Sequence, residues 1–253
     1  MTVEFLYKYG RLNEHSEALF TTATIWLSSP SQLNDPFECR PWLTFNGTQE
    51  QIVASLSRTL IRRYPNATPE EAHAVALQMF LAKKPTLDWE QTRRGMIRQF
   101  SERIGLYCMS QVSNSILMWS HYACDHQGYC LQFEATDFAP VFGGAQQVRY
   151  AVDLPSVDIF NTPTEDQVDQ IFTTKFVGWS YEQEWRLIDH DRGPGLRDYP
   201  PELLKGVIFG LRMPQERRVQ IRKWLEKRGH PVKLYEAVQD ERRFAIEVRE
   251  VDA

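Results

Sequence analysis

Three short stretches of this sequence gather side chains that do chemistry. The densest, Met118 to Phe133, reads MWSHYACDHQGYCLQF and sets His121, Tyr122, Cys124, Asp125 and His126 ahead of an apolar run. A histidine pair at i, i+5 shares no helix face and lacks the i, i+4 spacing that puts two imidazoles on one metal, so no metal site is expected. As a turn entering the strand GYCLQF, the stretch would place His121, Tyr122, Asp125 and His126 at the mouth of a cleft. The alternative is a hydrogen-bonded structural turn. In the second stretch, GWSYEQEWRLI, Glu182 and Glu184 are two apart and on a strand would face one way, with Tyr181, Trp185 and Arg186 beside them. Like charges held together tune one carboxyl upward or meet a cationic transition state. Alternation equally accommodates a solvent-facing acid pair with Trp185 and Leu187 in the core. In the third, FLYKYG, Lys8 stands between Tyr7 and Tyr9, suited to grip a flat ring or a phosphate, or simply to snorkel. The nearby SSPSQLNDPFE supplies Asn34, Asp35 and Glu38, which suit a sugar hydroxyl or a cation, or cap a turn.

The elements that must position these groups read as an α+β chain with mixed, mostly antiparallel sheets. FLYKY reads as a strand, HSEALF as the start of a helix with Ser16 as N-cap, and TIWL as a second strand entering a turn-rich loop. From Thr48 to Ile104 the period becomes helical, giving an inserted block of three helices, the second opened by Thr68, Pro69 and Glu71. Its cations, including Arg62, Arg63, Lys83, Lys84, Arg93 and Arg94, read as solvated faces. GLYCMS, GYCLQF, QVRYAV, KFVGWSYEQEWRLI, GVIFG, HPVKLYEAV and RFAIEVREV then read as β structure. Helices are expected at TPTEDQVDQIFTTK and at PQERRVQIRKWLEKRG, the latter ending at Gly229, and SNSILMWSHYA reads as a short helix or turn.

The 253 residues, 42% of them hydrophobic, suffice for one large domain over 1–253. A net charge of −4 gives no global reason for a polyanion partner, while a local basic groove stays compatible with it. No run approaches the ~18 apolar residues of a membrane helix and no leader pattern opens the sequence, so a cytoplasmic protein is expected. Cys39, Cys108, Cys124 and Cys130 are too scattered for a disulfide framework or a zinc knuckle and read as packing thiols.

Together, LYKYG, IWLSSPSQLNDPFE, SQVSNSILMWSHYACDHQGYCLQF, and KFVGWSYEQEWRLI followed by GVIFG resemble the bacterial domain-of-unknown-function family numbered 2971 over nearly the whole chain. Gly10 departs from an arginine frequent at that position, with Arg11 beside it. More distantly, the order of an LYxY strand, a helix, a second strand and a late E-x-E is similar to that of ADP-ribosyltransferases, including DNA-modifying toxins. The HYAxxHxG stretch is also similar to abortive-infection proteins of phage defence. The transferase resemblance implies NAD as the bound nucleotide, with Lys8 and Tyr9 on the first strand, although a lysine departs from the usual His or Arg. It further implies Ser28 and Ser29 on the second element, Glu184 as the catalytic carboxylate and Glu182 as the first acid of E-x-E. Asn34, Asp35, Tyr122 and His126 are expected to line the nucleotide site and His121 to serve as an acid or base, although His121, Tyr122 and His126 have no clear counterpart in the transferases and are equally read as a feature peculiar to this family. The expected activity is NAD-dependent glycosyl transfer to a nucleic-acid or protein acceptor, or NAD glycohydrolysis, as a defence or toxin-like effector. Two alternatives stand beside it: a hydrolase or nuclease built on His121, Asp125, His126 and Glu184, and a non-catalytic sensor or interaction module docking through the helical block.

Overall fold

The computed structural model describes residues 3–83 and 89–252. In chain order the elements are β1 (Phe5–Gly10), α1 (Ser16–Thr21), β2 (Thr24–Leu27), β3 (Trp42–Thr44), α2 (Gln49–Arg63), α3 (Pro69–Lys83) and α4 (Trp89–Arg103). There follow β4 (Gly105–Ser110), α5 (Ile116–Tyr122), β5 (Tyr129–Glu134), β6 (Gln146–Gln147), β7 (Arg149–Ala151), β8 (Ser156–Asp158), α6 (Thr164–Phe172) and β9 (Thr174–Phe176). The chain closes with β10 (Glu184–Asp189), β11 (Gly195–Asp198), β12 (Leu204–Phe209), α7 (Gln215–Glu226), β13 (Lys233–Gln239) and β14 (Ile246–Val251). An α+β chain built on a mostly antiparallel mixed sheet is thus what the sequence encodes.

The main sheet has the order β14-β13-β12-β5-β1-β4-β10-β6. Its parallel pair, β12 with β13, is joined by α7, as a parallel connection requires. Side-chain alternation gives the sheet two apolar faces. On one, Leu6, Tyr107, Leu131, Phe133 and Val207 pack under α1 and α7, where Phe20 stacks on Trp224 at 5.8 Å. On the other, Tyr9, Cys130 and Ile208 pack under Trp119 of α5, while Leu106 joins Leu43, Ile171 and Phe172 under α4.

The main sheet is interrupted between two of its strands. β1 pairs with β5 along its whole length, from Phe5↔Glu134 to Gly10↔Tyr129, whereas its pairing with β4 is confined to Tyr7↔Ser110. Further along β4, Leu106 exchanges both backbone hydrogen bonds with Ser28 at 2.8 Å, so the loop after β2 replaces β1 there. Between these points Lys8 Nζ donates to the Cys108 carbonyl at 2.7 Å. The sheet is therefore split between β1 and β4, and a side-chain ammonium bridges the gap.

Some local expectations are borne out and others are corrected. The N-cap of α1 is His15; Ser16 is its first residue and its Oγ accepts from Asn13 N at 2.8 Å. MWSHY is helical, and the reversal follows it: Cys124, Asp125 and His126 all have left-handed φ angles of 49°, 52° and 69°. Such conformations cost L-residues roughly 1–2 kcal/mol each. The turn is held by Gly128 N donating to Ala123 O at 2.7 Å and by Arg212 N donating to His126 O at 2.9 Å. YEQE is not continuous strand: Val177–Glu182 form a 3-10 turn, Gln183 is left-handed at φ 44°, and only then does β10 begin. In the helical block Arg62 and Arg63 are exposed as expected, but Arg93 is half-buried, its guanidinium 4.4 Å over the Trp42 ring and its Nε donating to Leu43 O. The Lys83 side chain and Lys84 lie outside what is described. Thr68 and Glu71 form the reciprocal cap expected at the start of α3.

Gly128 fixes α5 against β1. A Cβ there would stand 2.1 Å from the Gly10 carbonyl oxygen and 2.9 Å from that of Ala123. Gly128→Ala is therefore expected to cost about 1–3 kcal/mol or more in urea denaturation by forcing this backbone contact apart. A change below about 0.5 kcal/mol, the ordinary level for an unconstrained surface position, would show that the contact does not hold the turn.

Candidate functional site

The gap between β1 and β4 opens into a cleft of about 260 Å³ lined by Tyr7, Lys8 and Tyr9 of β1, by β4, and by Trp26, Ser28, Asn34, Glu38, Met118, Tyr122, Lys175, Glu182 and Glu184. Each wall has a local reason for its position. Trp119 carries α5 onto β1 through an edge contact with Tyr9 at 5.2 Å, and its Nε1 donates to Ser113 O at 2.9 Å. The SSPSQLNDPFE loop is shaped by Pro30 at the start of a 3-10 turn, with Ser29 and Gln32 capping one another. Its far end is pinned where Trp179 Nε1 donates to Asp35 Oδ2 at 2.7 Å.

The floor of the cleft is a buried ion cluster. Lys175 Nζ lies 2.9 Å from Glu38, 2.5 Å from Glu182 and 2.9 Å from Glu184. Arg186 grips Glu184 with two hydrogen bonds, Nε to Oε1 at 2.7 Å and Nη2 to Oε2 at 2.9 Å. It also pairs with Glu38 and donates to Phe172 O at 2.9 Å. All five side chains are buried. A solvent-facing acid pair is thereby excluded: Trp185 and Leu187 do pack on the core, and the carboxylates turn inward to cations instead of outward to water.

The two acids of E-x-E occupy different environments. The oxygens of Glu184 are taken up by Arg186 and Lys175, and Cys108 also contributes a hydrogen bond. Burial pushes its pKa upward, but Arg186 and Lys175 outweigh that and hold it at about 2. Glu182 accepts from Tyr122 Oη at 2.5 Å and from Lys175 at 2.5 Å, so each oxygen keeps a free lone pair. Burial dominates there and raises its pKa above the usual glutamate value. Burial also raises the Tyr122 hydroxyl, reinforced by Glu182, so it stays protonated and donates. Lys175 is raised despite burial, because three carboxylates favour its charge. Two carboxyls with acidities driven apart are the arrangement from which acid, base and fixed-anion roles are drawn.

Of the residues singled out in the sequence, Lys8, Tyr9, Ser28, Asn34, Tyr122, Glu182 and Glu184 line this cleft. Asn34 Nδ2 donates to Tyr122 Oη at 3.2 Å, tying the loop to α5. Ser29, Asp35, His121 and His126 are not in the lining. Ser29 caps its turn, and Asp35 braces Trp179 and accepts from Phe37 N. His121 is exposed and its Nδ1 lies 3.0 Å from Tyr181 Oη. His126 lies across the left-handed turn, its Nε2 3.1 Å from Ser120 Oγ and its ring stacked on Trp119, and burial lowers its pKa. Sequence reasoning misses Lys175, whose only signal is a lysine in the three-residue strand TKF, seven positions before an acid. Among the described residues no group of three or more His, Cys, Asp and Glu side chains is arranged to hold a metal ion. Nor is any helix among them long and apolar enough to cross a membrane.

Residues 118–187 match the family described as Protein of unknown function (DUF2971). The match runs from α5 through Lys175 and the E-x-E pair into β10, and it bears out the family resemblance over that segment. No curated protein and no solved structure matches the chain.

The cluster has a measurable signature. Arg186→Met leaves Glu38 and Glu184 buried with one cation fewer and is expected to cost about 3–5 kcal/mol in urea denaturation at neutral pH. Because the folded-state pKa of Glu184 is depressed from 4.5 to about 2, its contribution is present above pH 4.5 and is lost as pH falls through that window. The parent should lose on the order of 3 kcal/mol from this group between those pH values, and Arg186→Met much less. Equal acid sensitivity of the two proteins would contradict the assignment.

Proposed function

We propose that the chain cleaves the N-glycosidic bond of a nicotinamide dinucleotide, transferring the ADP-ribosyl group to an acceptor or to water. The observation that carries this reading is the meeting, in one cleft of the split sheet, of a permanently ionised Glu184 and a Glu182 of raised pKa with Lys8, Tyr122, Asn34 and Ser28. The order of motifs seen in the sequence supports it. The resemblance to abortive-infection proteins extends it to a defence or toxin-like effector, whose output would be modification of the acceptor or consumption of the dinucleotide.

The chemistry follows from the charges. As the bond from the ribose anomeric carbon to the pyridinium nitrogen breaks, nicotinamide leaves neutral with the electron pair and positive charge develops on the sugar. Three carboxylates against two cations leave the cluster one negative charge in excess when all are ionised, and that charge lies at the cleft floor. A fixed anion in a water-poor site stabilises such a transition state more than the ground state. Glu184 stays ionised and sustains this field. Glu182 has free acceptor capacity and takes the proton of the attacking water or acceptor group. Tyr122 orients Glu182, Asn34 orients Tyr122, and Lys8 meets a ring or phosphate at the open side of the gap.

Purified protein incubated with NAD is expected to release nicotinamide, read by chromatography. Glu184→Gln, shown to be folded by circular dichroism, should lose about 100- to 1,000-fold in rate while retaining binding by calorimetry. In the parent the rate should fall as pH drops through the raised pKa of Glu182, since a proton acceptor must be ionised, and Glu182→Gln should abolish that limb. Absence of both release and NAD binding would overturn the proposal and favour a binding module. Release that depends on added metal and survives Glu184→Gln would favour the hydrolase reading.

A further inference from the structure

At about 260 Å³ the cleft is near the lower limit for small-molecule sites and takes in a ring and a pentose, not a whole dinucleotide. The remainder of such a substrate must continue into adjoining space. That space is a groove of about 570 Å³ between the SSPSQLNDPFE loop and α4, and Leu33, Asn34 and Glu38 line both it and the cleft. Three arginines line it: Arg40, two residues past the loop, and Arg94 and Arg98, one helical turn apart on α4. Building on the glycosidic reading above, we propose that this groove binds the diphosphate of the nucleotide whose nicotinamide end enters the cleft.

The charges in the groove are disposed for an anion. Of its three carboxylates, Glu38 is spent on Lys175 and Arg186, Asp35 on the Trp179 indole and the Phe37 backbone N–H, and Glu102 is the exposed partner of Arg98. Arg94 and Arg98 are held only by exposed partners within their own helix, Glu90 at 3.0 Å and Glu102 at 2.8 Å. Pairs of that kind are weak and exchange readily, whereas a guanidinium meets a phosphate through parallel, charge-assisted hydrogen bonds. Arg40 is exposed and, among the described residues, makes no ion pair. The solvated cations of the inserted helical block thereby acquire a ligand, and the block becomes the outer wall of the nucleotide site.

The test uses the full chain and ADP, which carries the diphosphate without the nicotinamide. Calorimetry should show ADP binding to the parent and a loss of about tenfold or more in affinity for the triple variant Arg40→Gln, Arg94→Gln, Arg98→Gln, with an unchanged thermal transition certifying its fold. The ratio of kcat/KM for NAD to that for nicotinamide riboside should fall by a similar factor, since the riboside has no phosphate. ADP binding equally to parent and variant, or not at all to the parent, overturns the inference. Nicotinamide release accompanied by either of those results leaves the glycosidic reading standing alone. Arginine-dependent ADP binding with neither NAD binding nor nicotinamide release upholds the diphosphate groove and removes the glycosidic reading.

Discussion

One buried ammonium group organises this site. Lys175 bridges Glu38, Glu182 and Glu184, which arrive from a loop, a 3-10 turn and a strand. An uncompensated carboxylate in such surroundings would take up a proton or open the structure to water. Three together are sustained by Lys175 and Arg186, each satisfied by several partners. Buried ion clusters are weak contributors to stability, because well-packed apolar side chains of similar volume serve as well or better. What the cluster does supply is a fixed electrostatic field and two carboxyls of unlike acidity at the floor of a cleft.

The cleft exists because the sheet is incomplete. β1 leaves β4 after the Tyr7–Ser110 pair, Ser28 takes over at Leu106, and Lys8 caps the Cys108 carbonyl in between. The left-handed turn at Cys124–His126 allows α5 to end over this gap and β5 to begin at once beside β1. The conformational cost of that turn is offset by its backbone hydrogen bonds and by packing of Trp119 of α5 against Tyr9 and Cys130. Local strain next to a cleft is a recurring feature of functional sites, and here its geometric result is the placement of Tyr122 on Glu182.

Much of this was legible in the sequence, for identifiable reasons. Short apolar runs such as GLYCMS and GYCLQF, buried on both faces, and the helical spacing of apolar residues in α2 and α4 carry strong signals, and they appear where expected. The three-residue strands β3 and β8 are too short to show a period. The convergence of Glu182 and Glu184 was foreseen from strand alternation, yet a left-handed Gln183 and a shared lysine bring it about. Lys175 is not legible in the sequence because a single lysine has no pattern, and only the folded chain shows three acids around it. His121 and His126 sit close in sequence, but one ends a helix and the other closes a reversal, so they face different partners.

Environment divides the E-x-E acids into one permanently ionised carboxylate and one poised to exchange a proton. Carbon-13 NMR of protein labelled at the glutamate side-chain carboxyl tests it directly, with the two resonances assigned by their loss in Glu182→Gln and Glu184→Gln. Glu182 is expected to titrate above the ordinary glutamate value, while Glu184 shows no titration until pH approaches about 2 or the protein unfolds. Titration of both carboxyls together at the ordinary value would contradict it.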